Sequence, residues 1–397
     1  CEWRGWSTLL DITSAEDIRE LPPREGLYLT VPGGLPVSPG FDPGTRIELR
    51  PDPSLALRVE GERVYWSDWA LNPAPDEEGA GADVAVVTRR TSAGGRVTWF
   101  GVRTRQAATE SDSLRLDRLL ENGLRWAAGV PVAAPSHWPG AAQSALIFTM
   151  DVEGEDTYVN ARDVAATFRT DSLPITFFAV TGLVSEDEAL AEALVAAGEV
   201  GTQTVDHTPL AGDTEQAQSL RLTRAWREVE AWTGVPPLGL RPPEETLDSL
   251  TVEAWYNAGG RYILATNEAR TGAPALHETE SGTLVLIPRL IKDDYDIVVR
   301  DVTVRSGTLA NGYLAGVAKM RAIGGLAVVA GHTQIISNGA RLEAMRSVAD
   351  TARVQGDWWI TRGDELSEWW RARSGLALHW EVSVARPDEP ELLVEST

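Results

Sequence analysis

Residues able to move protons or hold cations sit at the ends of apolar runs in this chain. Residues 145–150 form a short apolar run that stops abruptly in Asp151, Glu153 and Glu155. The run is long enough for a buried strand and too short for an ordinary helix. Asp206 and His207 follow another such run, Arg241 with Glu244 and Glu245 follows a third, and His332 closes a fourth. Each has an ordinary reading by itself. Acids after a strand are solvated loop residues or complement the dipole of the next helix. A lone histidine is a satisfied hydrogen-bonding group, and Arg241 is a structural ion pair with Glu244 or Glu245. The elements between them decide whether they meet.

Beyond the Pro-rich boundary at 131–139, strands and helices alternate. Strands are expected at 175–180, 199–204, 238–241, 262–265, 283–287, 326–330 and 358–361. Helices are expected at 186–197, 214–232, 246–258, 308–322, 339–355 and 364–373. Roughly seven or eight such units imply a deformed parallel (β/α) barrel, an α/β fold whose chemistry sits at the C-terminal strand ends. That rule brings two carboxylates, two imidazoles and an arginine to one face.

The segment before the boundary, residues 1–139, reads as an α/β accessory domain. It has a short helix at 14–21 opened by Ser14, and strands at 26–31, 46–50, 55–59, 63–67, 83–89 and 96–102. The last two are joined by Ser92-Ala93-Gly94-Gly95, a hairpin signal. A leucine-rich helix at 111–128 packs on the sheet. No nucleophile–base pair or phosphate loop is visible there. The run from Gly95 through Asn122-Gly-Leu-Arg-Trp-Ala-Ala-Gly129 resembles the closing strands and last helix of class I glutamine amidotransferase-like domains, without their cysteine nucleophile. Such a domain would be non-catalytic. Residues 375–397 read as a β tail, with strands at 376–384 and 392–394 and a Pro-Asp-Glu-Pro turn between them.

Composition narrows the partners. A net charge of −22 over 397 residues opposes nucleic acids and anionic membranes. No apolar stretch approaches the roughly 20 residues needed to cross a bilayer. The single cysteine, Cys1, excludes an intramolecular disulfide and a cysteine-based zinc cluster. Cleavage ahead of a lipid-bearing cysteine is how bacterial lipoproteins mature, and Cys1 suits that; a simple cut in the chain is the alternative. The expected location is extracytoplasmic or in the cell envelope.

The strand-end residues, in this order, resemble the polysaccharide deacetylase (NodB-homology) family from Ser144 to about Arg373. Thr149-Met-Asp-Val-Glu-Gly154 is similar to its Thr-Phe-Asp-Asp-Gly motif. Gln203-Thr-Val-Asp-His207 followed by Thr208-Pro-Leu210 is similar to its His-x-x-x-His motif. Arg241-Pro-Pro243 matches Arg-x-Pro, and Val328-Val-Ala-Gly-His332 matches the apolar strand ending in histidine. The resemblance implies a divalent metal, zinc or similar, activating water to hydrolyse an acetamide on an envelope or extracellular polysaccharide, N-acetyl rather than O-acetyl. It implies Asp151 as base, His332 as acid, and Arg241 holding the base charged through a bidentate pair. Glu153 and His207 would be metal ligands, and Glu244 and Pro243 would touch substrate.

The chain departs from the pattern at Gln203, where the first histidine of the second motif belongs, and at Glu153, displaced by one residue. An amide oxygen is a poor zinc ligand. Asp206 would complete the set only by turning inward. A weak metal site, metal-independent hydrolysis, and an inactive carbohydrate-binding or scaffold protein all stay open. The tryptophans at 226, 232, 369 and 370, and Trp255 with Tyr256, are expected in the core. Lys292-Asp-Asp-Tyr-Asp296 reads as a solvated loop or a substrate rim, and His137, His277 and His379 carry no assignment.

Overall fold

A computed structural model describes residues 6–59, 64–72, 83–154, 158–184, 187–266, 271–299, 308–336, 339–383 and 386–396, which form two large sheets and a hairpin. Cys1 and Glu155 lie outside the described residues, as does the side chain of His379. After helix α1 (Trp6–Thr13) come β1 (Asp17–Leu21), β2 (Leu27–Val31), β3 (Thr45–Leu49), β4 (Ser54–Arg58), β5 (Val64–Ser67), β6 (Asp83–Arg90), β7 (Arg96–Phe100) and helix α2 (Glu110–Ala127). The strands run β1-β4-β6-β5-β2-β3, with β7 also on β6, and every pairing is antiparallel.

The helix expected at 14–21 is not formed. Ser14 takes a left-handed φ of 52° just after α1, and β1 pairs with β4 from Asp17 to Leu21. Five residues of sheet pairing, with Arg19 ion-paired to Asp83 on β6, outweigh the local helix signal. Helix α2 starts where Thr109 accepts a hydrogen bond from Asp112 N, and buries Leu116 and Leu119 but leaves Leu114 and Leu124 exposed. β7 and α2 fall where the amidotransferase-like resemblance put a strand and a last helix. Antiparallel pairing throughout lends that resemblance nothing more.

The second sheet begins with β8 (Ser144–Val152), the strand expected at 145–150, and is followed by helix α3 (Tyr158–Thr170), which was not expected from the sequence. It continues with β9 (Thr176–Ala179), α4 (Thr181–Val184), α5 (Glu188–Ala197), β10 (Glu199–Thr202), α6 (Glu215–Thr233), β11 (Gly239–Leu240), α7 (Ser249–Ala258) and β12 (Tyr262–Ala265). Then follow β13 (Ala275–Glu278), β14 (Thr283–Pro288), α8 (Asp294–Val298), α9 (Thr308–Ile323), β15 (Leu326–His332), α10 (Gly339–Gln355), β16 (Trp358–Thr361) and α11 (Gly363–Ser374). The order is β13-β14-β12-β11-β10-β9-β8-β15, with β16 also on β8, and only β13 is antiparallel. The result is a curled half-barrel, the deformed (β/α) barrel expected.

All nine residues of β8 are buried, as a strand covered on both faces must be. Leu146, Phe148, Met150 and Val152 pack outward against helices, while Ala145 and Ile147 face the barrel interior with Phe178, Tyr262, Leu264, Val285, Ile287, Val328 and Ala330. Side chains alternate along a strand. The interior parity therefore runs to Asp151 on β8, His332 on β15, Arg241 just past β11 and Gln203 just past β10. Glycines 201 and 239 make room for the interior aromatics: a Cβ on Gly239 would lie 2.3 Å from the Tyr262 hydroxyl, and one on Gly201 would lie 2.9 Å from the Phe178 ring.

The first sheet packs on the barrel through backbone. Gly33 N donates to Ile323 O (2.8 Å), Gly272 N donates to Pro43 O (2.6 Å), and Tyr65 and Leu71 join the barrel's outer core. Strands β17 (Leu376–Ser383) and β18 (Arg386–Ser396) close the chain as an antiparallel hairpin. The Pro-Asp-Glu-Pro segment lies inside β18, not at the turn as expected. Trp255 and Trp370 are buried, and Trp226, Trp232, Trp369 and Tyr256 half-buried, against the core.

Phe148 is fully buried edge-on to Phe168, with ring centroids 5.4 Å apart. Phe148→Ala is expected to cost about 3–5 kcal/mol, read as a lower denaturant midpoint, whereas Leu220→Ala on the exposed face of α6 should leave the midpoint unchanged.

Candidate active site

A cleft of about 710 Å³ opens at the C-terminal ends of the barrel strands. Asp151, Glu153, Gln203, His207, Arg241, Glu244 and His332 line it together with Pro242, Glu245, Thr266, Arg289, Asp293, Tyr295, Asp296 and Gln334. Seven of the nine residues singled out from the sequence thus meet. Asp206 does not: its carboxylate is exposed and pairs with Arg221 at 3.0 Å. Two successive residues point apart, and His207 takes the inward direction. Pro243 is buried in the turn after β11 and Pro242 lines the cleft in its place.

At the centre, Arg241 Nε donates to Asp151 Oδ2 at 2.6 Å, both side chains almost fully buried. The expected bidentate pair is not made. Arg241 divides its guanidinium, Nη2 reaching Glu245 Oε1 at 3.0 Å, because Glu245 stands on the next turn of chain. Asp151 Oδ1 and Arg241 Nη1 are buried and have no hydrogen-bond partner among the described residues. Burial pushes the Asp151 carboxyl up to about 6, against the opposing charges of Arg241 and His332.

His332 Nε2 lies 3.4 Å from Asp151 Oδ2. Its Nδ1 is 2.6 Å from Asp294 Oδ1, and its backbone N–H donates to Asp294 Oδ2 at 2.7 Å. Burial opposes charge on the ring, but the hydrogen bond to Asp294 and the carboxylates of Asp151 and Asp294 raise its pKa to about 9. A carboxyl able to take a proton near neutrality therefore stands beside an imidazolium able to give one.

Asp294 was not legible as a site residue. The 292–296 segment is not a solvated loop: Asp293 and Asp294 are buried and Asp293 caps α8, accepting from Asp296 N at 2.8 Å. Arg289 was also missed. Its Nε and Nη2 donate to the two oxygens of Glu245 at 2.6 and 2.9 Å. Burial alone would raise the Glu245 pKa, but Arg241 and Arg289 bring it down to about 2. The strand-end rule, applied to β14, leads directly to Arg289. Gln334, which donates to Glu153 Oε1, continues the parity of His332.

The backbone is strained around the cleft. Thr204, His207, Glu244 and Glu245 all take left-handed φ values, 72°, 57°, 54° and 55°, a conformation that costs a non-glycine residue ~1–2 kcal/mol. Such strain persists only where the surroundings over-determine it. His207 is held with Nε2 2.7 Å from Glu153 Oε2. That contact raises the His207 pKa. Burial opposes the Glu153 charge, yet His207, His332 and Gln334 bring its pKa down to about 2.

The expected metal set is not assembled. Glu153 and His207 supply one carboxylate and one imidazole, Gln203 offers only an amide, and Asp206 faces away. Among the described residues no three His, Cys, Asp or Glu side chains come together to hold an ion. The donors present do not fit a catalytic zinc, which takes three protein ligands.

Residues 143–263 match the sequence model of the polysaccharide deacetylase family, so the chain carries a polysaccharide deacetylase domain. No curated protein matches the chain. Among solved structures, a protein assigned as a polysaccharide deacetylase from Mycobacterium smegmatis aligns at 22% identity and TM-score 0.55, covering 62% of this chain and 96% of its own. PuuE allantoinase aligns at 18% identity and TM-score 0.50, covering 61% and 95%. A protein assigned as a polysaccharide deacetylase from Pseudomonas aeruginosa PAO1 aligns at 16% and 0.50, covering 61% and 95%. These likenesses establish the fold.

Asp294→Asn removes the carboxylate that holds the His332 ring. The His332 pKa, followed by NMR of the ring proton, should then fall from about 9 towards the ordinary histidine range; an unchanged titration would show that Asp294 does not sustain the charge.

Proposed function

We propose that the protein hydrolyses acyl groups, N-acetyl in preference to O-acetyl, from an envelope or extracellular polysaccharide. The observation that carries this reading is the buried Asp151, Arg241 and His332 constellation, with Asp151 Oδ1 and Arg241 Nη1 left without partners among the described residues. Buried polar atoms are costly unless something satisfies them, and a carbonyl with an attacking water offers both an acceptor and a donor. A protein that only bound sugar would have no need of a proton acceptor beside a proton donor.

In this reading a water oxygen adds to the acyl carbon while its proton passes to Asp151. Arg241 Nη1–H faces the developing oxyanion. His332 Nε2–H protonates the departing nitrogen as the C–N bond breaks, leaving acetate and a free amine. Glu244, exposed at the mouth, and Tyr295, tilted 6.4 Å from the His332 ring, form the sugar-binding rim. Acidic side chains outnumber basic ones along the cleft, which favours neutral or amino sugars over polyanions. The proposed location is outside the cytoplasm or in the cell envelope.

The second reading, carbohydrate binding without turnover, is favoured by the incomplete metal set. Acetate release from N-acetylated and O-acetylated oligosaccharides decides between them, since binding without release leaves only the second. Asp151→Asn should lower turnover by about 10²–10⁴-fold; an Asp151→Asn protein as active as wild type would remove the catalysis from this pocket. Activity requires ionised Asp151 and protonated His332. It should therefore rise with pH through about 6 and fall through about 9.

A further inference from the structure

The donors around Glu153 leave an ion too few ligands. Glu153 already has one oxygen 2.7 Å from His207 Nε2, and the other accepts from Gln334. Asp151 holds Arg241 through Oδ2 at 2.6 Å and keeps Oδ1 for the attacking water of the hydrolase reading, and Asp206 is turned away to Arg221 at 3.0 Å. The third position belongs to Gln203, buried to 2% exposure on the cleft wall, with Oε1 unpartnered among the described residues. Zinc takes an amide oxygen poorly. An ion would have to break the charge-assisted Glu153–His207 contact for a two-ligand site.

We propose that the cleft works without a divalent cation: the Glu153–His207 pair stands where an ion would be held, and Gln203 is the residue that keeps the ion out. The positive charge needed opposite a tetrahedral oxyanion then comes from Arg241 and His332, which line the same cleft. The left-handed backbone at His207, φ 57°, is the conformational cost of holding its ring on Glu153. The inference rests on the hydrolase reading for its chemistry, and the step balances without the ion: water supplies oxygen to the acyl carbon and a proton to Asp151, and His332 supplies the proton to the amine.

The test uses the full chain, dialysed against EDTA and titrated with zinc and then cobalt by calorimetry, with elemental analysis of the product. Wild type should retain far less than one equivalent. Gln203→His, which restores a second imidazole, should gain zinc affinity by roughly 100-fold or more, and Gln203→His with His207→Ala should lose that gain. Circular dichroism confirms that the variants fold. Near-stoichiometric metal in wild type that His207→Ala abolishes overturns the proposal, and so does a Gln203→His protein with no gain. Acetate release unchanged between EDTA and added zinc supports it, whereas recovery only with zinc overturns it. If no acetate is released in either condition, the hydrolase reading fails and the titration still decides whether the cleft takes an ion.

Discussion

The buried contact between Asp151 and Arg241 is the constraint on which the upper half of the barrel depends. Their side chains are 1% and 3% exposed and 2.6 Å apart. Either charge alone at that depth would cost several kcal/mol. The two come from β8 and from the end of β11, with β9 and β10 between them, so the pair forms only when the sheet has curled. Arg241 then extends to Glu245, Glu245 to Arg289, and Arg289 to Asp293 and Asp296, at 3.0, 2.6, 3.5 and 3.3 Å. A chain of alternating charge ties the ends of β8, β11 and β14 together and carries the walls of the cleft.

Burial works against the ion pair in setting the chemistry. Arg241 and His332 favour the charged form of Asp151, but the dry barrel interior disfavours it more, and its carboxyl settles near 6. His332 shows the opposite outcome in the same surroundings, because Asp294 and Asp151 outweigh desolvation and lift it to about 9. Two groups with nearly adjacent atoms are thus pushed to opposite sides of neutrality, Asp151 by burial and His332 by its carboxylate partners.

The strands were legible because a strand buried on both faces has to be a continuous apolar run, and β8, β9, β12 and β15 are such runs. Most helices formed close to their expected ranges, and the structure shows what fixes their starts: Thr214 before α6 and the Asp248–Thr251 capping box of α7. Residues 14–21 misled because capping chemistry is local whereas sheet pairing is not. β13, with its alternating half-buried pattern, is an edge strand set by β14 and not by its own composition. Within the site, Asp151, Arg241 and His332 stood out as polar ends of apolar runs. Asp294 and Asp293 did not, since a run of acids reads as solvent-facing until a histidine and an arginine are brought against it.

The sequence by itself determined the parallel barrel, the strand ends that carry polar side chains, and the anomaly at Gln203, because each depends only on local periodicity or residue type. Tertiary structure alone decided that Asp206 turns to Arg221 while His207 turns to Glu153, that Arg241 divides its guanidinium between two carboxylates, and that Asp294 holds His332. Those outcomes follow from which elements meet at the open end of the barrel: a charged side chain takes the partner that compensates its burial, and for Asp151, His207 and His332 that partner lies tens of residues away along the chain.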